Sequence, residues 1–129
     1  MKIKLTGIHV DDQEKALRFY TENLGFVKKG DVKNGPYWWL TVVSSEDPDG
    51  AELQLALNDN PASKTYQEAL FEQGQTAAMF HTADLQRDYD RLVALGVKFT
   101  TPLTKEQWGS MAILDDTCGN LIQLTQPAW

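Results

Sequence analysis

The chain has 129 residues, 42% hydrophobic and 23% charged, with 18 acidic against 12 basic side chains and a net charge of −6. This length fits one compact domain, the composition is too apolar for disorder, and the acidic balance disfavours nucleic acid and anionic membrane surfaces as partners. No apolar run reaches the roughly 18 residues of a membrane span, the N-terminus alternates too strictly for a secretory signal, and the one cysteine, Cys118, fits a reducing cytoplasm.

Ile3, Leu5, Gly7 and His9 alternate with Ile8 and Val10, which predicts a first strand. Asp12 is placed to cap a helix with Ala16, Leu17, Tyr20 and Leu24 at helical spacing, and Gly25 to end it. Two strands, Phe26–Lys33 and Tyr37–Ser45, flank the turn signal Asn34-Gly35-Pro36. Asp47-Pro48-Asp49-Gly50 is a second turn, before a strand Ala51–Leu57 with Leu53, Leu55 and Leu57 on one face.

Tyr66, Ala69 and Leu70, bounded by Pro61 and Gly74, then predict a connecting helix over about 61–74. Ala77–His81 reads as a strand, and Leu85, Tyr89, Leu92 and Val93 as the apolar face of a helix. Three strands complete the chain: Val97–Leu103, Trp108–Leu114 and Asn120–Thr125.

The second half repeats the first. His9 and Asp12 recur as His81 and Asp84, Leu24-Gly25 as Leu95-Gly96, and Asp47 to Leu55 as Asp116 to Leu124. Two β-α-β-β-β modules are expected, at about 1–58 and 75–127. Each is too small to bury enough surface alone, so they should pair, with helices on one sheet face and a cleft on the other.

The segments "VDDQEKALRFYTENLGF", "YDRLVALGV" and "DDTCGNLIQL" resemble the vicinal oxygen chelate superfamily of glyoxalases, bleomycin-resistance proteins and extradiol dioxygenases. The resemblance covers essentially the whole chain. It implies one α+β domain over 1–129, in which tandem modules form a curved, mixed eight-stranded sheet around a central cleft.

Metal-dependent members hold an ion in that cleft on His or Glu side chains from the first and last strand of each module. Carried over, these positions fall on Leu5, Gln54, Ala77 and Gln123. Amides, an isobutyl group and a methyl offer no negative charge to offset the desolvation of a divalent cation. The resemblance therefore implies a degenerate metal site and no cofactor.

His9 and His81 share strand-face parity with Leu5 and Ala77 but lie about 13 Å further along their strands. They are read as strand-end residues bonded to backbone or water, with ligand contact or a displaced metal site as the alternatives. Neither has a Ser or Cys nucleophile at a fixed spacing.

Other residues are weighed on parity and type. Trp38 and Trp39 point to opposite faces of one strand, so one should meet the helix layer and the other the cleft. Trp108, at the start of a strand, and Met79, in line with His81, are expected cleft walls. Gln54 and Gln123 are expected to meet ligand or water, Glu52 to lie exposed at a cleft edge, and Cys118 to be unreactive.

The expected function is binding of a small organic molecule in an aromatic-lined cleft without metal chemistry, by a homodimer like those of the bleomycin-resistance branch. The alternatives are a metal-dependent lyase, isomerase or dioxygenase of the glyoxalase type, and metal-free acid–base catalysis through His9 or His81.

Overall fold

The alternating segment at the start of the chain becomes β1 (Leu5–Val10), with Ile8 and Val10 buried on one side. The computed structural model describes all 129 residues and divides them into two units, Met1–Thr65 and Tyr66–Trp129. Three helices and eight strands make up the α+β fold.

In the first unit Asp12 caps α1 (Gln13–Arg18), accepting from the Lys15 backbone N–H at 3.0 Å. The helix widens into a π-helical turn over Phe19–Asn23, then stops at Gly25, where φ is +83°. Phe19 and Tyr20, adjacent in sequence, are both buried in this turn and meet edge-on at 5.4 Å. The strands β2 (Val27–Asn34), β3 (Tyr37–Val43) and β4 (Glu52–Leu57) follow.

Their order is β1-β4-β3-β2, with β1 parallel to β4 and the other pairs antiparallel. Ile8, Val10, Leu40, Val42 and Leu55 form the dry face beneath α1, joined by Ala16, Phe19 and Tyr20. Each fully buried aliphatic side chain here contributes about 1.5–3 kcal/mol.

The helix α2 (Pro61–Glu72) crosses from the first unit into the second. Its spacing predicts Tyr66 on the buried side, yet Tyr66 is exposed and Gln67 is buried. The reason is polar: the Gln67 amide donates to the Asn120 side chain at 3.1 Å and to the Cys118 carbonyl at 3.3 Å.

The second unit places α3 (Leu85–Ala94) between β5 (Ala78–His81) and β6 (Phe99–Glu106), followed by β7 (Gly109–Asp115) and β8 (Leu121–Pro127). The order β5-β8-β7-β6 repeats that of the first unit. Hydrogen bonding thus divides the eight strands into two four-stranded mixed sheets without a closed barrel. Leu85 and Leu92 of α3 are buried, as are Ala112, Leu114, Ile122 and Leu124 of the sheet. Val93, expected on the same apolar face, is about half exposed, because the narrow dry stripe of α3 is filled by Leu85 and Leu92.

Before β8 the chain makes a buried turn around Asp116. Its carboxylate accepts from the backbone N–H groups of Cys118 and Asn120 at 2.7 and 2.9 Å, and from the Asn120 side chain at 2.9 Å. Gly119 sits at φ +100°, and a Cβ there would lie 2.8 Å from the Gln67 amide nitrogen, so the turn requires glycine twice over. No helix is long and apolar enough to cross a membrane.

Candidate functional site

Side chains alternate across a strand, and residues paired across neighbouring strands share a face. This rule assigns the face of each sheet opposite its dry core. In the first unit Gly7 pairs with Gln54, His9 with Ala56 and Leu5 with Glu52. Gln54 pairs in turn with Thr41, which sets Trp39 on the same face two residues along. The wet face thus carries His9, Gly7, Gln54, Glu52 and Trp39, together with Thr41, which is itself fully buried.

Gly30, at an irregularity in β2, belongs to this face too: a Cβ there would lie 2.7 Å from the Thr41 hydroxyl and 2.8 Å from the Trp39 indole nitrogen. The Thr41 hydroxyl accepts from the Gly30 N–H at 2.8 Å and donates to Glu52 at 2.7 Å. Glu52 is accordingly half-buried and held by a threonine, not the exposed edge residue expected from its position. Gln54, between Gly7 and Thr41, is half-buried.

The second unit repeats the register. Met79 pairs with Gln123 and His81 with Thr125, while Gln123 and Thr125 pair with Ile113 and Met111 on the other side. Met79, His81 and Gln123 therefore share one face, as their parity predicts. The Gln123 amide donates to the Thr125 hydroxyl at 3.0 Å, so part of its polarity is met inside the protein. Met79 and His81 are exposed and His9 is half-buried.

Trp38 and Trp39 separate as alternation requires. Trp39 goes to the Gln54 face and Trp38 to the opposite one. The Trp38 indole N–H donates to Asp31 at 2.7 Å, and the Lys33 ammonium stands 4.6 Å from the ring centroid. The hydrogen bond from Lys28, and after it that from Trp38, holds the Asp31 carboxyl below its ordinary pKa. Trp108 does not begin a strand: it lies in the turn before Gly109, its carbonyl accepting from Ala128. The hairpin needs two turn residues there, and Trp108 is one of them.

A cavity of about 150 Å³ opens within the first unit beside Trp38, bounded by Gln13, Tyr37, Gln54, Leu57 and Asp59. Gln13 is held in place there, its amide N–H groups donating to the carbonyls of Trp38 and Leu55, both at 2.9 Å. Tyr37 and Asp59 lie outside the segments that carry the family resemblance. Gln13 reads as a helix-start residue and Asp59 as a loop residue until β3 and β4 bring them together.

The four carried-over metal positions divide between the units: Leu5 and Gln54 in the first, Ala77 and Gln123 in the second. Their side chains do not fit a divalent cation, since none is anionic and none is an imidazole. No group of three His, Cys, Asp or Glu side chains gathers elsewhere in the chain. Cys118 is buried inside the Asp116 turn, its backbone N–H donating to the Asp116 carboxylate at 2.7 Å.

Comparison with known proteins gives a consistent picture. The family model for the glyoxalase/bleomycin resistance protein/dioxygenase superfamily matches residues 2–124. The chain is 53% identical over 126 residues to the uncharacterized protein YurT of Bacillus subtilis (strain 168), covering 98% of this chain and 99% of that one. Among solved structures, UcmS2 aligns with a TM-score of 0.84 at 28% identity over 97% of each chain. TnmS3, an antibiotic binding protein from Streptomyces sp. CB03234, aligns with a TM-score of 0.76 at 29% identity, covering 99% of this chain and 97% of that one.

Proposed function

The chain belongs to the glyoxalase/bleomycin resistance protein/dioxygenase superfamily, and from that premise we propose that it binds a small organic molecule without metal chemistry. The observation that carries this reading is the chemistry of the matched glutamines. Gln54 and Gln123 occupy equivalent register positions on the wet faces of the two sheets, where metal-dependent members need an anionic or imidazole donor. An amide can orient a ligand through one donor and one acceptor, but it cannot neutralise a cation.

The surrounding residues support recognition of an apolar or aromatic body. Trp39 and His9 flank Gln54, while Met79, Met111 and Ile113 flank Gln123. Trp38 and Trp108 are assigned to the ligand-binding set as outlying aromatics. Structural likeness to an antibiotic binding protein at 29% identity favours the same class of ligand. A homodimer belongs to the proposal, since β1 and β2, like β5 and β6, are edge strands open to further cover.

Titration of a library of aromatic natural products against intrinsic tryptophan fluorescence tests the reading, with saturable quenching expected for at least one compound. Elemental analysis of protein purified without chelator tests the other half. A stoichiometric transition metal would overturn the metal-free reading and restore the lyase or dioxygenase alternative. Sedimentation equilibrium checks the dimer.

A further inference from the structure

The cavity beside Trp38 has an unusual polar inventory. The two carbonyls nearest the Gln13 side chain can only accept, so its NH2 group must face them, and the hydrogen-bonding atom it has left is Oε1, an acceptor. Gln54 brings a carbonyl oxygen and an NH2 group to the lining. Asp59 carries the one formal charge among the lining residues, and it is negative. Acceptors therefore outnumber donors, and the net field favours a cation.

The apolar inventory sets size and shape. A cavity of about 150 Å³ matches a single six-membered ring, by comparison with an engineered apolar cavity of similar volume that takes benzene. The Trp38 ring is fixed in place by its hydrogen bond to Asp31, and Lys33 already occupies one of its faces. A second cation stacked on that indole would meet the ammonium's field. A neutral ring on Trp38, with its charged end directed away from Lys33, would not.

We propose that this cavity binds a small flat group bearing cationic hydrogen-bond donors, an amidinium or protonated amine on one aromatic ring. The ring lies against Trp38 and the N–H groups meet Gln13 Oε1 and Asp59. The inference rests on the small-molecule reading above and names the ligand chemistry of one part of it.

Three probes of matched size separate the possibilities: benzamidine, benzyl alcohol and benzoate, each titrated into the intact chain while the Trp38 indole N–H resonance is followed by NMR. Benzamidine should bind tightest and benzoate weakest, about tenfold apart. Asp59→Asn should weaken benzamidine about threefold to fivefold and leave benzyl alcohol unchanged, as expected for an exposed charge partner. Equal affinity for all three probes, or benzamidine binding indifferent to Asp59→Asn, would overturn the proposal. So would shifts confined to residues outside the cavity. If a natural product quenches tryptophan fluorescence and shifts resonances of Trp39 or Met79 while benzamidine binds nowhere, this inference fails and the broader reading survives. If neither class binds, both fail.

Discussion

In the first unit the glutamine of the last strand stands between Gly7 and Thr41; in the second its counterpart stands between Met79 and Ile113. The strand order and pairing register are the same, but the faces are chemically different. The first unit leaves space over its glutamine and ties Thr41 to Glu52 and the Gly30 backbone. The second crowds its glutamine with methionine and isoleucine and satisfies part of it with Thr125.

The turns before the last strands diverge in the opposite sense. The Asp47–Gly50 turn is largely exposed, with Lys4 donating to the Asp49 and Gly50 carbonyls and Lys29 to the Pro48 carbonyl. The Asp116–Gly119 turn is buried around its aspartate and closed by Gln67. Each unit thus conserves its dry core and register while its wet face and closing turn vary. A backbone template tolerates this because the dry face under the helix supplies most of the stabilisation.

Substitutions at equivalent positions should expose the asymmetry. Asp116→Ala strands two buried backbone N–H groups and the Asn120 amide, and should cost about 3–5 kcal/mol in urea unfolding. Asp47→Ala, in the exposed turn, should change the midpoint little. Next in size is Gly119→Ala, at about 3 kcal/mol, from a left-handed φ and a contact with Gln67 that must give way. Gly50→Ala should cost about 1 kcal/mol or less, because the atom its Cβ would strike belongs to the exposed Asp47 side chain, which can swing aside. An equal loss from both glycines would refute the contrast between the two turns.

Thr41→Val should cost about 1–2 kcal/mol by leaving the Gly30 N–H and Glu52 without their partner. Ile113→Val at the equivalent place should cost under about 1 kcal/mol, since only a methylene is lost from a half-buried site. The smallest effect is electrostatic. Asp31 has a lowered folded-state pKa, so its stabilising contribution is present at neutral pH and is lost as the pH falls through that depressed value. An NMR titration should show the Trp38 indole N–H resonance moving with Asp31 protonation, below the range of ordinary carboxylates, and Asp31→Asn should abolish that step.

Much of this architecture was legible in the residues. Alternation located the strands to within a few positions, because period-two burial leaves a direct trace in the sequence. The duplication supplied the repeated element order, and Asp12 and Gly25 announced their helix ends. The shared face of Met79, His81 and Gln123 followed from parity alone. Gln67, Gln13 and Asp59 were not legible, because each acts on a segment distant in sequence through a polar side chain without a pattern. Tyr66 and Val93 misled for the complementary reason: apolar spacing marks what can be buried, and space under a helix decides what is.

By itself the sequence determined the repeated β-α-β-β-β order, the caps, the acidic charge and the uncharged side chains of Leu5, Gln54, Ala77 and Gln123. These are local or compositional properties, carried by each residue's own geometry and chemistry. Only the tertiary structure decided that Trp39 joins Gln54 while Trp38 turns to Asp31 and Lys33, that Gln67 closes the Asp116 turn, and that Gln13, Gln54 and Asp59 border one cavity. Such meetings depend on strand pairing and helix docking, where the burial of many side chains together selects the neighbours of each one.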